Sequence, residues 1–480
     1  MGVLQDYTIY RKEQISEEHI MYNTDFTKAE DLHIHFMGIG GISMSGLAEL
    51  MLSMGASVSG SDQAPSPLTE RLSEKGARIF YPQKAGNIPG GTDLVVMTAA
   101  IHPDNPELKD AEARNIPILT RARFLGQVMK LYKMPVAVAG THGKTTTTSM
   151  LAQIFLAAEL DPTASIGGIL PSIGGNFRIG GKDLFLLEAC EYTNSFLEFF
   201  PRLAVILNID ADHLDFFKDI DDIRASFKKF ASLLPEDGTL VINRDIPRLE
   251  EITEGLKCRV VTFGSGSDAD YYPDSVSYDE SGCPSFDLVH NEDVRHFSLS
   301  VHGEHNVYNA CAACAAADIL GIGYEETKAG LEEFKGTGRR FELKGEINGI
   351  TIIDDYAHHP TEIKATLKAA KKLQNKRVVV VFQPHTYSRT KALLSEFAES
   401  LSLADEVILA DIYAARETDT LGISSADLKE KVSAYNVPCT YIPSFEDIKK
   451  YILENCFNGD LLITMGAGDV VKIGDELLKK

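Results

Sequence analysis

Cysteine is scarce in this sequence, and its distribution excludes a protein held together by disulfide bonds. The 480 residues contain seven cysteines, an odd number scattered along the chain, whereas disulfide frameworks use paired cysteines in short chains. Cys311 and Cys314 form the only Cys-x-x-Cys motif. Since this motif lies in an alanine-rich helical pattern without a second pair, small buried side chains are expected there rather than a metal site.

Long apolar runs are absent and positive charge is low. No apolar run is long enough to cross a bilayer, and the first residues are charged and polar, unlike a secretory signal. Lysine and arginine number 47 against 69 acidic residues, so the formal net charge is −22. These features predict a cytoplasmic protein without a nucleic-acid or membrane partner. Any anionic ligand must then be held by backbone amides and a few selected cations.

The clearest functional pattern lies near residue 140. An apolar run, Pro135–Ala139, is followed by Gly140, Thr141, His142, Gly143, Lys144, Thr145 and Thr146, and then by a helical pattern towards Ala158. Backbone N–H groups of such a turn bind phosphate oxygens, while the lysine reaches the outer phosphates and the next threonine a magnesium ion. The common phosphate-loop motif has a further glycine where this chain has Val138. The alternative is an ordinary strand–turn–helix with a surface lysine, but the flanks favour an ATP site.

The string Gly-Thr-His-Gly-Lys-Thr-Thr resembles the ATP loop of the Mur ligases, the ATP-dependent amide-forming enzymes of peptidoglycan precursor synthesis. The resemblance covers about residues 33–470 and implies three α/β domains, which a chain of 480 residues also suggests. These are a Rossmann-like UDP-binding domain, a central P-loop ATPase-type domain and a C-terminal doubly wound Rossmann-like domain. The expected ranges are 33–132, 133–335 and 336–480, after an N-terminal extension, 1–32, in which Met21 is an alternative start.

A second glycine-rich turn lies in the first domain. A strand pattern, 33–37, leads into Gly38-Ile39-Gly40-Gly41, a helix and a strand that ends at Asp62. This order is typical of dinucleotide-binding units. A nicotinamide site and a site for another nucleotide both stay open, although Ser43 at the third glycine position weakens the first. By the resemblance, Gly38, Gly40, Gly41 and Asp62 bind the UDP-sugar.

Acidic residues follow two strand patterns of the central domain. The run from Leu184 ends at Glu188, and the strand 203–208 is followed by Asp210, Asp212, His213 and Asp215. Each aspartate can equally belong to a solvated loop or a helix cap. The strings Glu-Ala-x-Glu and Asn-Ile-x-Ala-Asp-His resemble the family, which implies that Glu188 and His213 bind magnesium beside Thr145. Magnesium prefers oxygen ligands, so the histidine makes Mn²⁺ an expected substitute.

Asn306 and Asn309 open an alanine-rich helical pattern that reaches Leu320. Being three residues apart, they project from one face, where their amides match both donor and acceptor edges of a base. Helix capping by Asn306 is the alternative. The resemblance implies that Asn309 and His305 contact adenine.

The segment that starts the last domain, Gly336-Thr337-Gly338-Arg339-Arg340, predicts a hinge with phosphate-binding charge. Arg340 is the better candidate for a phosphate contact, and a solvated arginine pair is the alternative. Beyond it, alternating strands and helices predict a parallel doubly wound sheet. Its strands are expected around Ile352, Val380, Ile408, 439–441 and Leu462, and its helices near 361–373, 390–402, 424–434 and 445–455.

Two loops at the predicted carboxyl edge of this sheet carry reactive side chains. The resemblance assigns Asp355 to the ATP ribose, and Tyr356, His358, His385 and Arg389 to the surroundings of the incoming amino acid and the transferred phosphate. Thr386 stands where many family members have arginine. The adjacent His358 and His359 suggest zinc at first glance, but adjacent residues seldom chelate one ion and no third histidine is nearby in sequence.

The resemblance implies a reaction in which the lactyl carboxylate of UDP-N-acetylmuramate attacks the γ-phosphate of ATP. The amine of L-alanine then displaces phosphate from the acyl phosphate. The expected catalytic residues are Lys144, His358, His385 and Arg389, and the expected partners are the two substrates and ATP with Mg²⁺, in a monomer or homodimer. Alternatives are attachment of a ready-made tripeptide to the same nucleotide sugar, nicotinamide-dependent dehydrogenation and non-catalytic nucleotide sensing.

Overall fold

The computed structural model describes residues 24–415, 417–418 and 421–479, which form two compact units, the first ending at Arg121 and the second beginning at Ala122. Most of the predicted N-terminal extension, including Met21, lies outside the described residues. Its described end forms a 3-10 helix, Phe26–Asp31, whose first turn is capped by Asp25. Phe26 and Ala29 of this helix are buried, so this part of the predicted extension packs onto the first unit.

The first unit contains a five-stranded sheet in the order β3-β2-β1-β4-β5. All four strand pairs are parallel. Its strands are β1 (His33–Met37), β2 (Ser57–Ser61), β3 (Arg78–Phe80), β4 (Leu94–Met97) and β5 (Ile118–Thr120), and its helices are α1 (Ile42–Ser53), α2 (Pro67–Glu74) and α3 (Pro106–Ala113). The central strand β1 ends at the glycine-rich turn, which places that turn at the carboxyl edge of the sheet, where open α/β sheets bind ligands.

The second unit contains a ten-stranded sheet in the order β15-β14-β13-β12-β11-β10-β6-β9-β7-β8. Its strands are β6 (Met134–Ala139), β7 (Thr163–Leu170), β8 (Gly175–Arg178), β9 (Leu184–Ala189), β10 (Leu203–Ile206), β11 (Thr239–Asn243), β12 (Arg259–Phe263), β13 (Tyr271–Tyr278), β14 (Pro284–His290) and β15 (Asp293–Ser298). Neighbouring pairs from β7 to β13 are parallel, while β13–β14, β14–β15 and β7–β8 are antiparallel. Because β10, β6 and β9 are adjacent and parallel, the segments that follow them meet at one edge.

Helices cover this sheet and bury its core. They are α4 (Arg121–Met129), α5 (Lys144–Ala157), α6 (Ile220–Ala231), α7 (Glu250–Thr253), α8 (His305–Ile319) and α9 (Tyr324–Glu333). The apolar side chains of α5 and the alanines of α8 join one buried cluster with β6, β10 and β13–β15. Cys311 and Cys314 are free and fully buried in α8, as predicted.

The second unit also contains a six-stranded sheet in the order β16-β17-β21-β18-β19-β20. Its strands are β16 (Glu342–Ile347), β17 (Ile350–Asp355), β18 (Arg377–Phe382), β19 (Glu406–Leu409), β20 (Cys439–Tyr441) and β21 (Asp460–Met465). The predicted strands are confirmed, but β16 pairs antiparallel with β17, so the sheet is not wholly parallel. A short hairpin through Asn348 and Gly349, both with positive φ, makes this antiparallel edge.

Helices pack on both faces of the six-stranded sheet, so the doubly wound prediction is confirmed. They are α10 (Pro360–Ala370), α11 (Tyr387–Ala392), α12 (Leu394–Leu401), α13 (Ser425–Ser433), α14 (Phe445–Asn455) and α15 (Val471–Leu477). Alternate residues of β18 serve the two faces: Val378 and Val380 join one buried cluster, and Val379 and Val381 the other. The helix expected over 390–402 is divided into α11 and α12 at Leu393. Among the described residues, no helix combines the length and the apolar character needed to cross a membrane.

Candidate active site

The predicted ATP loop connects β6 to α5 through two glycines whose conformations other residues rarely adopt. Gly140 has φ 140°, and an added Cβ would lie 2.9 Å from the Cβ of Leu207. Gly143 has φ 85°, and an added Cβ would lie 2.6 Å from Oδ1 of Asn309. The N–H groups of Thr141 and His142 donate to Asn208, which fixes the first half of the loop. These constraints explain the two glycines of the truncated motif.

The second half of the loop offers unpaired backbone donors. Within the described residues, the N–H groups of Gly143, Lys144 and Thr145 have no hydrogen-bond acceptor, as expected for the first turn of α5. The Lys144 Nζ donates to the carbonyl oxygens of Gly140 and Thr141 and lies 2.9 Å from Oε2 of Glu191. Burial alone would lower the pKa of Lys144, but the charge of Glu191 more than reverses this, and the pKa is raised. The loop is therefore a cradle of unpaired N–H groups beside one ammonium group, an arrangement suited to phosphate oxygens.

Thr145 and Glu188, two of the predicted metal ligands, lie together. The Thr145 hydroxyl donates to Oε2 of Glu188 over 3.2 Å, and the N–H of Gly167 donates to Oε1. Burial raises the pKa of Glu188. A hydroxyl and a half-buried carboxylate beside this loop are the oxygen donors that magnesium prefers, so these residues fit such an ion.

His213, the third predicted ligand, contacts a different carboxylate. Its Nε2 lies 4.0 Å from Oε1 of Glu191 and 3.8 Å from Oδ2 of Asp212, and its ring stacks on Tyr192. Oε1 of Glu191 is buried without a hydrogen-bond partner in the described part of the chain. A buried, unpaired carboxylate oxygen that faces an imidazole fits a cation. Glu191 is the second acid of the Glu-Ala-x-Glu string, but its role was not predicted from the sequence.

The loop that follows β10 is held by residues beyond the predicted hinge. Asp212 is 7% exposed and accepts two hydrogen bonds from Arg389, over 3.0 and 2.9 Å. Burial opposes ionisation of Asp212, but Arg389 is the largest of the charges that hold its pKa well below the usual range. Thr361 donates to Asp210 over 2.7 Å. The solvated-loop alternative is therefore wrong for Asp210 and Asp212, and Arg389 is paired with a protein carboxylate.

The structure corrects the argument against zinc at the adjacent histidines. A third histidine, His142, is close in space: its ligand atoms, with those of Asp210 and His359, lie within 4.8 Å of one another. The ring nitrogens already have partners, however. Nδ1 of His359 accepts from the N–H of Thr361, and Nε2 lies 3.3 Å from the carbonyl oxygen of Ala211. His359 therefore caps α10 as a neutral ring instead of standing ready for a metal.

The predicted adenine motif lies against the ATP loop. Asn309 is buried, donates to Oδ1 of Asn306 over 2.9 Å and presses its own Oδ1 against Gly143. Asn306 donates to the carbonyl oxygen of His302, while His305 is exposed at the start of α8. The proximity of Asn309 to the phosphate cradle agrees with a nucleotide role, and the adenine contact stays a prediction.

The two hinge arginines have different partners. Arg339 donates to Oδ2 of Asp354 over 2.9 Å and to the carbonyl oxygen of Gly466 over 2.7 Å. The guanidinium of Arg340 lies over the ring of Tyr356 at 5.1 Å and has no hydrogen bond or ion pair within the described ranges. Of the two arginines, Arg340 is thus the one whose guanidinium N–H groups are available to bind a phosphate. The alternative of a solvated pair is wrong for Arg339, which is anchored to a buried carboxylate.

Asp355, the predicted ribose contact, is already bonded within its own domain. Its carboxylate accepts from the N–H groups of Phe341 and Ala357 and from the Thr366 hydroxyl. Burial is the largest influence on this group and raises its pKa to about 6. Its contact with ATP stays a prediction, and the structure shows a further role in fixing the segment after the hinge.

The predicted groups around the amino acid are brought together at the carboxyl edge of the six-stranded sheet. The rings of His358 and His385 lie 5.9 Å apart, Tyr356 is 5.4 Å from His358, and Nη1 of Arg389 lies 3.2 Å from Nδ1 of His385. Burial is the main cause that lowers the pKa of each of these two histidines to about 4. Thr386, with φ 67°, caps α11 by accepting from the N–H of Arg389. The cluster combines neutral imidazoles with one guanidinium.

The glycine-rich turn of the first unit is held by its own neighbours. The N–H groups of Gly38 and Gly41 donate to Ser61 and Gly38, and that of Gly40 donates to Oδ2 of Asp62 over 2.7 Å. Asp62 also accepts from the N–H of Gln63. The structure thus shows Asp62 closing the turn, and the UDP-sugar contacts of these residues stay predictions.

A buried polar cluster that was not predicted from the sequence lies beneath this turn. Glu107, at the start of α3, is fully buried; it lies 3.1 Å from Nε2 of His35 and accepts from the Ser61 hydroxyl. His35 also contacts Ser59. The cluster joins the start of α3 to β1 and β2, the strands that position the glycine-rich turn. Its local signal in the sequence is the string Asn105-Pro106-Glu107, which is typical of a helix start and places Glu107 in the first turn.

Comparison with known proteins covers nearly the whole chain. Family models described as the Mur ligase family catalytic domain, the Mur ligase middle domain and the Mur ligase glutamate ligase domain match residues 33–133, 138–317 and 339–468. The UDP-N-acetylmuramate–L-alanine ligases of Lachnospira eligens and Agathobacter rectalis are 60% and 57% identical over 461 residues, 96% of this chain and 100% of each relative.

Solved structures of Mur ligases also resemble this chain. A UDP-N-acetylmuramate–alanine ligase from Thermotoga maritima is 31% identical, with a TM-score of 0.78 over 93% of this chain and 98% of that one. A murein peptide ligase from Psychrobacter arcticus is 27% identical, with a TM-score of 0.70 over the same shares. With 96% of its length matched by these relatives and three Mur ligase domain models in order along it, the chain belongs to the Mur ligase family.

Proposed function

We propose that this chain is an ATP-dependent ligase that joins L-alanine to the lactyl carboxylate of UDP-N-acetylmuramate in peptidoglycan precursor synthesis. The relatives at 60% and 57% identity carry the name of that activity and are covered over their whole length. The observation that carries the proposal is the loop from Gly140 to Thr145, where unpaired N–H groups and Lys144 stand beside Glu188. The nicotinamide alternative is set aside because the family is one of ligases.

The chemistry requires activation of an unreactive acid. A carboxylate is a poor acylating agent because oxide or hydroxide is a poor leaving group. Transfer of the γ-phosphoryl group of ATP onto the lactyl carboxylate releases ADP and gives an acyl phosphate. The amine of L-alanine then forms the amide, and inorganic phosphate leaves. Catalysis of such a transfer depends mainly on positioning and on neutralising charge.

The residues of the ATP loop supply the binding and much of this charge. The N–H groups of Gly143, Lys144 and Thr145 would hold phosphate oxygens, and the Lys144 ammonium would oppose their repulsion of the substrate carboxylate. Thr145 and Glu188 would hold a divalent cation, with His213 and Glu191 as further ligands; Mg²⁺ is proposed and Mn²⁺ would substitute. When bound, such an ion neutralises triphosphate charge.

The segment beyond the hinge would complete the site. Arg340, whose guanidinium is unpaired within the described residues, would contact the transferred phosphate. His358 and His385 are neutral at pH 7, because their pKa values are lowered to about 4. The Nδ1 of His358 donates to the carbonyl oxygen of Tyr356, so its Nε2 can accept a hydrogen bond from the incoming amine, whereas the Nδ1 of His385 already accepts from Arg389. Asp355 and Asn309 would bind the nucleoside. We assign these roles to domains 133–335 and 336–480, and UDP-sugar binding to 33–132.

The test is product formation from a panel of nucleophiles. The purified protein, ATP, Mg²⁺ and UDP-N-acetylmuramate are combined with L-alanine, glycine, L-serine or the murein tripeptide, and phosphate release and product mass are measured. L-alanine is expected to give the highest kcat/KM. Activity with the tripeptide alone, or no amide product with any amine, would overturn the proposal. Since ATP and UDP-sugars are cytoplasmic metabolites, we place the reaction in the cytoplasm, in a monomer or homodimer that light scattering would distinguish.

A further inference from the structure

The side chain of His142, in the middle of the ATP loop, lies between two carboxylates. Its Nε2 is 3.3 Å from Oδ2 of Asp210, and its Nδ1 is 3.2 Å from Oε1 of Glu362. The exposed fractions of the His142 and Glu362 side chains are only 13% and 14%. A carboxylate oxygen accepts hydrogen bonds, so this arrangement requires a proton on both ring nitrogens, which makes His142 an imidazolium.

The surroundings of His142 stabilise that charge. Burial alone would lower its pKa, but the hydrogen bonds to Asp210 and Glu362 more than compensate and raise the pKa to about 9. Glu362 is likewise buried, yet its pKa is held well below the usual range by nearby positive groups, among them His142. The facing groups are Asp210 after β10 and Glu362 and His359 at the start of α10. At neutral pH, His142 is thus an imidazolium and Glu362 a carboxylate.

Other contacts connect this pair to both halves of the site. The N–H and carbonyl oxygen of His142 are bonded to the Asn208 side chain, so its backbone is not a free phosphate donor. Glu362 also accepts from the N–H groups of His358 and His359 over 3.0 and 3.3 Å. One carboxylate therefore holds the ATP loop through His142 and the loop that carries His358 through its backbone.

We propose that His142 is a positioning residue, whose imidazolium fastens the ATP loop to Glu362 and Asp210 and so sets His358 opposite the phosphate cradle. This differs from the phosphate-binding role that the loop motif predicts for His142. The expected effect of His142 on amide formation rests on the proposed function. The expected effect of His142 on the order of the two loops does not. If the His142 side chain bound phosphate, it would have to break its hydrogen bonds to both carboxylates. In a positioning role, it retains both hydrogen bonds when ATP binds.

The structural test is hydrogen exchange of the unliganded full-length protein, which needs no substrate. His142→Gln and Glu362→Gln should each speed amide exchange in segments 208–215 and 356–363 by about fivefold or more, while β18 stays unchanged. His296→Gln is the matched control, because His296 also pairs with a carboxylate, Asp287, but is exposed and outside the site. His142→Arg retains a cation with several hydrogen-bond donors, so both segments should exchange their amide protons at the rates of the parent protein. Unchanged exchange in both glutamine variants would overturn the proposal.

The kinetic test separates positioning from phosphate binding. Each glutamine variant should lower kcat/KM for the amino acid by about 10- to 100-fold, because misplacement of reacting groups is costly, and should leave the Kd of a non-hydrolysable ATP analogue within about threefold. The loss in the double variant should be smaller than the product of the two single losses, since both single variants remove the His142–Glu362 contact. A Kd for the analogue that rises as much as kcat/KM falls, or multiplicative losses in the double variant, would refute the role. Failure of the parent protein to form amide would instead refute the proposed function and leave the exchange result standing.

Discussion

The neighbouring arginines of the hinge allow a test in which each variant controls for the other. Arg339 is bonded to Asp354, which is fully buried, and to Gly466. Arg340 has no such partner in the described part of the chain and lies over Tyr356. Replacement of each by alanine removes the same positive charge at almost the same place. The two variants should nevertheless fail in different ways.

Arg339→Ala should mainly reduce stability. It would leave the buried Asp354 carboxylate with the Thr464 hydroxyl as its remaining side-chain partner. Loss of one member of a buried ion pair costs about 3–5 kcal/mol, and the lower end applies here because Arg339 is 27% exposed. About 3 kcal/mol corresponds to a fall of about 5 °C in the melting temperature of a unit of this size. Calorimetry without ligands measures that shift.

Arg340→Ala should mainly reduce turnover. Its melting temperature should stay within about 1 °C of the parent value, since a side chain without polar partners contributes little. Its kcat should fall by about 10²- to 10³-fold, which is the usual cost of losing one donor to transition-state charge. A kcat within threefold of the parent value would refute the phosphate contact of Arg340. Equal melting temperatures for the two variants would refute the anchoring role of Arg339.

Three further predictions concern the ATP loop. Lys144→Met should abolish phosphate release while calorimetric binding of the UDP-sugar is kept; loss of both would show that the two sites were wrongly separated. Removal of divalent cations with EDTA should stop turnover, Mg²⁺ or Mn²⁺ should restore it, and Glu188→Gln should raise the Mg²⁺ concentration needed. The raised pKa of His142, about 9 against an ordinary 6.5, means that its stabilisation by Asp210 and Glu362 is complete below pH 6.5 and is lost as the pH rises through 9. Urea unfolding between pH 7 and pH 10 should therefore show the parent protein losing about 2.5 kcal/mol more than His142→Gln, and parallel profiles would contradict this.

Local sequence patterns predicted the parts of this fold that depend on near neighbours. The strand before Gly140 follows from its apolar run, and the positive φ of Gly140 and Gly143 is a local requirement of the turn between strand and helix. The strand pattern of 377–382 likewise follows from burial of both faces of β18. These features needed no knowledge of the rest of the chain.

The contacts that assemble the candidate site could not be predicted in the same way. Asp212 and Arg389 are separated by 177 positions and His142 and Glu362 by 220, and no local periodicity links such pairs. Before its partner is known, Asp212 has the sequence signature of any acidic loop residue. The antiparallel strands β13–β15 also escaped prediction, because short alternating strands between polar turns carry a weak signal.

The place of β21 in its sheet has a consequence for how the protein is made. This strand is the last in sequence, yet it lies between β17 and β18 at the centre of the six-stranded sheet. During synthesis, β17 and β18 have no central partner until residue 465 has left the ribosome. Until then, their backbone edges are open to wrong pairing, so nascent chains at this stage are natural clients for chaperones. Translation that stops short of β21 should yield a chain whose terminal domain is degraded rather than one with a slightly shortened tail.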